Sequence, residues 1–351
     1  MTVMWDYPDF DDHEAVHFFH DIETGLSAII AVHSTHLGPG TGGTRFWHYE
    51  NRETAVTDVL RLSRGMSYKN AMAGLPLGGG KAVILADRNR TKSPGIFAKF
   101  GQMIDSLGGR YVTAEDVGIT TNDMEQVSTQ TKYVSGLPTS NSAQAGGDPG
   151  PFTAMGVYLG IKAAVEHKLG RSDMSGVHVA IQGVGSVGGG VARLLAKDGA
   201  KLSIADINKD QAIALASETG ASVIGLDEIM RVEADVFSPN ALGAVLDKVS
   251  IAHLNVAIVA GAANNQLATA EDGQRIFDRG ILYAPDYVIN CGGVINIGLE
   301  YLGDSNLEEV NRRIAMIPER LTDIWLQSGR RSLPSSVVAD NMAIALIGRG
   351  S

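Results

Sequence analysis

The sequence predicts an α/β fold of two domains, a C-terminal domain on a parallel sheet and an N-terminal α/β domain, with a cleft between them. In the C-terminal half, short apolar strands alternate with helical segments, which is the βαβ rhythm of a parallel sheet covered by helices. A glycine-rich turn directly follows the first of these strands. Residues 134–151 are rich in Gly, Pro, Ser and Asn and keep no apolar period, as expected of a linker. We therefore predict one domain over residues 1–140 plus 332–351 and a second over 150–330.

The N-terminal domain is predicted to contain strands and helices of its own. Thr54–Met66 has helical spacing, because Val56, Val59 and Leu60 recur on one face. Leu37–Arg45 is a glycine-rich loop. The remaining predicted elements are the strands Ala15–His20, Leu26–His33, Lys81–Ala86 and Arg110–Thr113 and a helix over Ile96–Leu107.

The C-terminal domain is predicted to alternate strands with helices throughout. Its predicted helices are Thr153–His167, Val187–Lys197 and Leu307–Gln327. Its predicted strands are Val177–Ile181, Lys201–Ala205, Val236–Phe237, Ala257–Val259 and Ile281–Tyr283. The last stretch, Leu333–Ile347, is predicted to return to the first domain.

Composition and charge exclude several classes of protein. A net charge of −10 argues against nucleic acid or an anionic membrane as a partner. The chain has no run of about 18 apolar residues, and its acidic N-terminus lacks the pattern of a secretory signal. The single cysteine, Cys291, excludes an intrachain disulfide and favours a cytoplasmic setting.

The turn after Val177–Ile181 has the spacing of a dinucleotide-binding turn. Gly183, Gly185 and Gly188 give G-x-G-x-x-G between a strand and a helix, and Asp206 closes the next strand. The first glycine permits the tight turn, the second lets a pyrophosphate approach the backbone, and the third lets the helix pack closely. The helix N-terminus offers free N–H groups and partial positive charge to the phosphates.

This turn predicts a Rossmann-type domain that binds NAD. Asp206 can accept hydrogen bonds from both ribose hydroxyls and would repel a 2′-phosphate, which favours NAD over NADP. The residues beside these groups complete the predicted cofactor site: Ser186, Val187, Ile207 and Ala260.

A block with two lysines, residues 62–87, is the second candidate site. Lys69 and Lys81 lie on either side of a glycine-rich turn. A phosphate-loop interpretation fails, because that motif needs Gly where Leu75 stands and Ser or Thr where Ala82 stands. Two lysines in a closed site can divide the work of general base and carboxylate holder, although most lysines simply lie at a surface.

Two further clusters follow strands, and one histidine cluster suggests no metal. Asp116 precedes a predicted helix, where a carboxylate either acts in chemistry or caps the helix. Asn264 and Asn265 follow a predicted strand at the edge where ligands bind, although adjacent asparagines also make turns. His13, His17 and His20 have no supporting Cys or carboxylate pattern, so we predict no metal site.

Taken together, these blocks resemble the amino-acid dehydrogenase family of the leucine, phenylalanine and valine enzymes, with glutamate dehydrogenase more distant. The match is most similar to the leucine and phenylalanine enzymes and covers roughly residues 25–300. The blocks are LGPGTGGTR (37–45), RLSRGMSYKNAMAGLPLGGGKAVI (61–84), GRYVTAEDVG (109–118), TKYVSG (131–136), QGVGSVG (182–188), ADIN (205–208), VAGAANNQL (259–267) and YAPDYVINCGGVIN (283–296).

The resemblance implies reversible oxidative deamination of an L-2-amino acid to a 2-oxo acid and ammonium, with NAD as cofactor. It implies that Lys69 binds the substrate carboxylate with the backbone of Gly42 and Gly43, and that Lys81 is the catalytic base. It also implies that Asp116 holds the amino group and helps to move protons. Asn264 is implied near substrate and nicotinamide, with Asn265 as the alternative, and Thr153 is implied at the nicotinamide amide.

The resemblance leaves the substrate side chain open. Ala114 and Val294 match pocket walls, which favours aliphatic substrates of the leucine, valine and isoleucine type. Thr41 stands where leucine enzymes usually carry Leu, which leaves space for an aromatic ring and makes a phenylalanine- or tryptophan-type enzyme the alternative. Asn240 replaces a family cysteine near the expected cofactor path. A catalytically silent NAD-binding protein is a minor alternative, and a homo-oligomer is implied.

Overall fold

The computed structural model describes residues 3–138, 144–241, 243–304 and 306–349. The chain divides into two units, each discontinuous in sequence. The first unit comprises Met1–Gly147, Asn296–Leu307 and Ala343–Ser351, and the second comprises Asp148–Ile295 and Glu308–Met342.

Strands β1 to β6 form the sheet of the first unit. Their order is β1-β2-β5-β3-β6, with β4 also paired to β5. β1 and β2 are antiparallel, as are β2 and β5, and the other pairs are parallel. The strands are β1 Ala15–His20, β2 Ser27–Ser34, β3 Gly40–Thr41, β4 Thr44–Trp47, β5 Gly78–Leu85 and β6 Tyr111–Val112. The helices of this unit are α1 Arg52–Met72, α2 Ile96–Asp105 and α3 Thr121–Ser128.

Side-chain alternation along the strands divides the first unit into two apolar layers. Ile29 packs on one face with Val56 and Leu60 of α1, whereas Ile30 packs on the other face with Phe100 of α2. Because the period of a strand is two, every odd-numbered residue of β5 shares the α1 face with Val83, and every even one lies opposite. This alternation decides where Lys81 points.

The second unit has the strand order of a dinucleotide-binding domain. Its strands are β7 His178–Gln182, β8 Lys201–Ala205, β9 Ser222–Val223, β10 Val236–Pro239, β11 Ile258–Val259 and β12 Leu282–Tyr283. They run parallel in the order β12-β11-β10-β7-β8-β9. Since the chain enters at β7, this is the 3-2-1-4-5-6 arrangement read from the other edge, and the predicted Rossmann-type fold is confirmed.

Helices connect these strands and complete the chain. They are α4 Gly150–Leu169, α5 Ser186–Lys197, α6 Lys209–Thr219, α7 Lys248–His253, α8 Ala270–Asp278, α9 Asp286–Ile289, α10 Gly292–Tyr301, α11 Leu307–Ile314, α12 Ile317–Arg331 and α13 Ser335–Leu346. Within the described ranges, no helix is both long and apolar enough to cross a membrane.

The C-terminal boundary predicted at residue 332 differs from the observed division. The return to the first unit begins at Ala343, and Asn296–Leu307 also belongs to that unit. The reason is that α13 begins on the second unit, where the Ser335 hydroxyl donates to the Tyr283 carbonyl at 2.8 Å. Only beyond α13 does Arg349 donate to the carbonyl oxygens of Asp11 and His33, at 2.6 Å each.

Several predicted segments change their bounds, and two of them differ by more than the ends of one element. The helix expected over Leu307–Gln327 is wrong as one element, because the chain turns at Ala315–Met316 and Pro318 lies in the first turn of a new helix. The predicted linker 134–151 ends earlier, since α4 begins at Gly150, and its residues 139–143 lie outside the described part of the chain. The strand Lys201–Ala205 is confirmed with its predicted bounds.

Candidate active site

Lys81 lies buried on the α1 face of the first unit's sheet. It is 6% exposed and sits in the middle of β5, opposite Ala31 of β2. Its ammonium group forms an ion pair with Oδ2 of Asp116, which follows β6. A buried lysine must be paired or neutral, and this carboxylate supplies the partner. The structure therefore brings together the two residues predicted to be catalytic.

Gly42 and Gly43 let the loop between β3 and β4 run against this pair. A Cβ at Gly42 would lie 2.0 Å from the carbonyl oxygen of Gly80, and one at Gly43 would lie 2.9 Å from Cβ of Asp116. Neither position can accept a side chain without moving the backbone. The Tyr111 hydroxyl, on β6, donates to the Gly42 carbonyl at 2.6 Å and holds the loop in place.

Lys69 lies in the last turn of α1, in a segment that packs on the same strands. The Asn70 amide donates to the Gly78 carbonyl at 2.6 Å, and a Cβ at Gly79 would lie 2.1 Å from the Ser67 nitrogen. Lys69 itself is half-buried. Lys69 therefore lies in the turn of α1 that packs on β5, the strand that carries Lys81.

The two pocket residues predicted in the first unit are both buried. Thr41 is 3% exposed, and its hydroxyl donates to the Pro39 carbonyl at 3.1 Å. Ala114 is also 3% exposed, and its carbonyl accepts from the Thr44 nitrogen at 2.9 Å. Thr41 therefore lies in β3, directly before the loop of Gly42 and Gly43, and Ala114 lies two residues after β6, bonded to the first residue of β4.

Arg45 is a charged residue of this site to which sequence reasoning gave no role. It alternates with Phe46 along β4, so it shares the α1 face with Lys81. Its Nε donates to Asp116 Oδ2 at 3.0 Å, and its Nη1 donates to both oxygens of Asp58 at 3.1 and 3.2 Å. The signal in the sequence was an arginine at an alternating position directly after the glycine-rich loop.

The two cations keep Asp116 ionised. Burial acts to raise the pKa of Asp116, but the charges of Lys81 and Arg45 outweigh burial and hold that pKa well below its usual value. Asp116 is thus a carboxylate throughout the working pH range, and it acts as an acceptor for cationic groups.

In the second unit, the glycine turn has the geometry that the motif requires. Gly183 has φ of +87°, and a Cβ at Gly188 would lie 2.0 Å from the Gly183 carbonyl oxygen. A Cβ at Gly185 would meet no protein atom within 4 Å, so the backbone there faces open space. Helix α5 begins at Ser186 with no side-chain cap, which leaves its first N–H groups to a ligand. Val187 is the second residue of that helix. The turn fits a pyrophosphate.

Asp206 is tied to the same turn. Its Oδ2 accepts from the Val184 nitrogen at 2.7 Å, and its Oδ1 accepts from the Asn208 nitrogen at 2.8 Å. These bonds fix the carboxylate at the carboxyl end of β8, where a ribose would lie. The next residue, Ile207, is 87% exposed and offers an apolar surface beside it.

Hydrogen bonds from two asparagine side chains hold the loop that carries Asn264. The Asn240 side chain accepts from the Ala262 nitrogen at 2.9 Å, and its Cβ packs against Gly188. Asn290 donates to the Ala262 carbonyl at 3.0 Å and to Oδ1 of Asn264 at 2.8 Å. Asn290 was missed in the sequence, where it stands inside the block YAPDYVINCGGVIN without any isolated signal.

The remaining predicted residues of the second unit lie on neighbouring elements. Ala260 follows β11, is fully buried, and donates its N–H to the Phe237 carbonyl at 3.0 Å. Thr153 lies in the first turn of α4, where its hydroxyl donates to the Pro149 carbonyl at 3.0 Å. Val294 is half-buried near the start of α10. Asn265 has φ of +52° and is exposed, which is typical of a turn residue.

Two of the three histidines that invited a metal interpretation, His13 and His20, have hydrogen-bond partners, and the ring of His17 stacks on Phe19. His13 Nε2 lies 3.1 Å from the Leu60 carbonyl oxygen and 3.0 Å from the Ser63 hydroxyl. Over the residues that the structure describes, no group of three or more His, Cys, Asp or Glu side chains is arranged to hold a metal ion.

Together, these observations indicate the class of enzyme to which the protein belongs. One unit has the topology and glycine turn of a nicotinamide-dinucleotide domain, and the other carries a buried lysine–carboxylate pair. That combination is typical of a dehydrogenase whose chemistry needs a base. Residues 13–133 match the family model described as the Glu/Leu/Phe/Val dehydrogenase dimerisation domain, and residues 203–347 match that of the glutamate/leucine/phenylalanine/valine dehydrogenases. The chain belongs to this family and is an amino-acid dehydrogenase.

Similar proteins cover nearly the whole chain. A leucine dehydrogenase of Geobacillus stearothermophilus is 45% identical over 340 residues, which span 97% of this chain and 92% of that enzyme. A valine dehydrogenase of Streptomyces virginiae is 41% identical over 96% of this chain and 94% of that enzyme. The crystal structure of L-tryptophan dehydrogenase from Nostoc punctiforme has a TM-score of 0.84 and 39% identity, covering 96% of each chain.

Proposed function

We propose that the enzyme catalyses the NAD-dependent, reversible oxidative deamination of apolar L-2-amino acids of the leucine, valine and isoleucine type. The observation that carries this proposal is the ion pair of Lys81 with Asp116 on a buried sheet face. Five leucine dehydrogenases that are 44–45% identical to this chain support an aliphatic substrate. The buried, small Ala114 fits such a side chain.

In this proposal, the first unit binds the substrate and moves protons. Lys69 and the backbone at Gly42 and Gly43 hold the substrate carboxylate, because a cation and N–H groups suit an anion. Asp116 accepts hydrogen bonds from the substrate amino group, which its ionised state permits. Holding both ends of the amino acid fixes the position of Cα.

Lys81 acts as the base. Water adds its oxygen to the oxidised substrate carbon and gives a proton to Lys81. The nitrogen then takes this proton from Lys81, the C–N bond breaks, and ammonia leaves. As the carbon–oxygen double bond of the 2-oxo acid forms, the hydroxyl proton passes to the freed Lys81 amine. Asp116 stabilises the cationic nitrogen during both steps because it stays a carboxylate.

The second unit is proposed to hold NAD. Gly183, Gly185 and Gly188 would bind the pyrophosphate, Asp206 the ribose, and Thr153 with Asn264 the nicotinamide end. When bound, NAD accepts the hydride that substrate Cα loses. The hydrogen-bonded position of Asp206, fixed by two backbone N–H groups, supports NAD over NADP.

An aromatic substrate is the second candidate. Thr41 is shorter than leucine and is buried beside the glycine loop, so it leaves room for a ring. An L-tryptophan dehydrogenase of Nostoc punctiforme is 44% identical over 83% of this chain and supports this alternative. A catalytically silent protein is disfavoured, because Lys69, Lys81 and Asp116 are all present and the last two are paired.

The test is NADH oxidation in the presence of ammonium across a panel of 2-oxo acids. We expect the highest kcat/KM with branched aliphatic side chains, whereas a preference for phenyl or indole side chains would establish the aromatic alternative. Lys81→Ala should lose at least a thousandfold in kcat and still bind NADH, on the order of what loss of a catalytic base costs. The exposed Lys132→Ala is the matched control. Turnover of Lys81→Ala within tenfold of the parent would contradict the assignment.

We also propose that the enzyme is a homo-oligomer that works in the cytoplasm. The first proposal is supported by the dimerisation domain that residues 13–133 match. The second is supported by Cys291, a buried free thiol of the kind that a reducing compartment preserves. Sedimentation of the purified enzyme over a range of concentrations tests the first.

A further inference from the structure

Arg45 joins the proposed catalytic pair to a second carboxylate. Oδ2 of Asp116 accepts from both Lys81 and Arg45 Nε, so two cations share one oxygen. The other end of the guanidinium grips Asp58 through two bonds of 3.1 and 3.2 Å. Asp58 lies on α1, Arg45 on β4 and Asp116 after β6, so the guanidinium links three elements.

The Tyr49 hydroxyl extends this hydrogen-bonded row of side chains beyond Asp58. Tyr49 donates to Asp58 Oδ2 at 2.7 Å. Burial raises the pKa of Tyr49, and the negative charge of Asp58 raises it further, so Tyr49 remains a donor. Charges thus alternate in a row: ammonium, carboxylate, guanidinium, carboxylate, and then a neutral hydroxyl.

We propose that Arg45 is a positioning residue of the reaction, which holds the Asp116 carboxylate in place and shares its charge with Lys81. This inference rests on the proposed roles of Lys81 and Asp116. The planar fork of arginine is needed, because one guanidinium must reach two carboxylates in fixed directions, which a lysine ammonium cannot do.

The shared charge has a consequence for pH dependence. The base must be uncharged to accept a proton, and a neighbouring carboxylate favours the charged form of an amine. The positive charge of Arg45 offsets part of the effect of the Asp116 carboxylate on the base. Without Arg45, the acid limb of the kcat/KM profile should move to higher pH. Other charged or titratable groups lie on the elements that form this face. They are Asp58 and Lys69 on α1, Tyr49 after β4, His33 on β2 and His13 before β1, and the two histidines contact Ser67 and Ser63 of α1. The cations that lower the pKa of Asp116 are Lys81 and Arg45.

The experiment measures kcat/KM against pH for Arg45→Met and Arg45→Lys. For Arg45→Met, kcat/KM at neutral pH should fall about 10- to 100-fold, the range for loss of a charged hydrogen bond. Its acid limb should rise by about one pH unit. Arg45→Lys should bring the limb back toward the parent while kcat/KM stays low, which separates charge from geometry.

A control variant and two substitute variants separate a specific effect of Arg45 from a general loss of stability. Arg61 pairs with Asp9 at 2.6 Å on the exposed side of α1, and Arg61→Met should change neither quantity. If Arg45→Met does not fold, Arg45→Lys and Tyr49→Phe carry the test, with a lowered kcat/KM expected in both. A profile and kcat/KM equal to the parent in folded Arg45→Met would overturn the inference. Persistent turnover in Lys81→Ala would instead overturn the proposed function itself, so the two failures are distinguishable.

Discussion

His33 should make the enzyme sensitive to mild acid. This histidine lies on β2, is fully buried, and its Nδ1 is 2.7 Å from the Ser67 hydroxyl. Its Nε2 lies 2.7 Å from Nη1 of Arg349, which can only donate and favours the neutral ring, and 3.1 Å from Oδ2 of Asp11, which favours the protonated ring. Burial first, then the charges of Arg349 and His13, lower the pKa of His33 to about 3, against the weaker opposing effect of Asp11.

The magnitude follows from linkage. Below the ordinary value of 6.5, the unfolded chain binds a proton at His33 that the folded chain does not bind until about pH 3. The contribution of His33 to the free energy of unfolding is therefore fully present above pH 6.5 and is lost as the pH falls toward 3. Between pH 7 and pH 5, roughly 1.5 units of this window are crossed, at about 1.4 kcal/mol each, so His33 alone should remove about 2 kcal/mol of unfolding free energy.

The assay is urea unfolding of the full chain at pH 7 and pH 5, followed by tryptophan fluorescence. The perturbation is His33→Asn, whose amide can keep the bond to Ser67 without titrating. This variant should be less stable at pH 7, yet it should lose about 2 kcal/mol less than the parent between the two pH values. His36→Asn, at an exposed histidine, is the control and should behave like the parent. Equal losses in the parent and His33→Asn, within about 0.5 kcal/mol, would refute the reasoning.

Three further predictions concern the second unit. Asp206→Ala should weaken NADH binding and reduce the preference over NADPH, measured as the ratio of kcat/KM values; an unchanged ratio would place the ribose contact elsewhere. Gly188→Ala would bring a Cβ to 2.0 Å from a backbone oxygen, so NADH affinity should drop at least tenfold by fluorescence titration, whereas Gly329→Ala, with no atom within 4 Å, should be silent. Asn290→Ala removes both side-chain hydrogen bonds to the loop of Asn264 and should raise the KM of the 2-oxo acid about tenfold, with NADH affinity retained. An unchanged KM would show that this loop keeps its conformation without those hydrogen bonds.

Much of the fold could be predicted because local patterns determine it. The strand–turn–helix–strand sequence around Gly183 and Gly188 fixes the geometry of that turn whatever surrounds it. The face of Lys81 also follows from strand alternation with Val83. The break before Pro318 was missed because helical spacing on either side suggested one continuous helix.

The site was predictable in part, and the limit is physical. Asp116 and Lys81 were expected from the resemblance, but no sequence period relates a residue after β6 to one in β5. The bonds of Arg45 to Asp58 join positions on a strand and a helix, whose meeting depends on tertiary packing. Asn240 was expected near the cofactor path, in place of a cysteine. Its bond to the Ala262 nitrogen depends on the neighbouring strand order, which becomes visible only in the fold.

The bonds of Arg349 to the N-terminal segment bear on how the chain is synthesised. Because Arg349 donates to the carbonyl oxygens of Asp11 and His33, and residues from Ala343 onward belong to the first unit, that unit is assembled from segments that lie far apart in the sequence. Its early strands leave the ribosome long before the segment that completes them, so part of their surface stays uncovered while the second unit is synthesised. Chaperones in the cell should accordingly bind these strands more than those of the second unit.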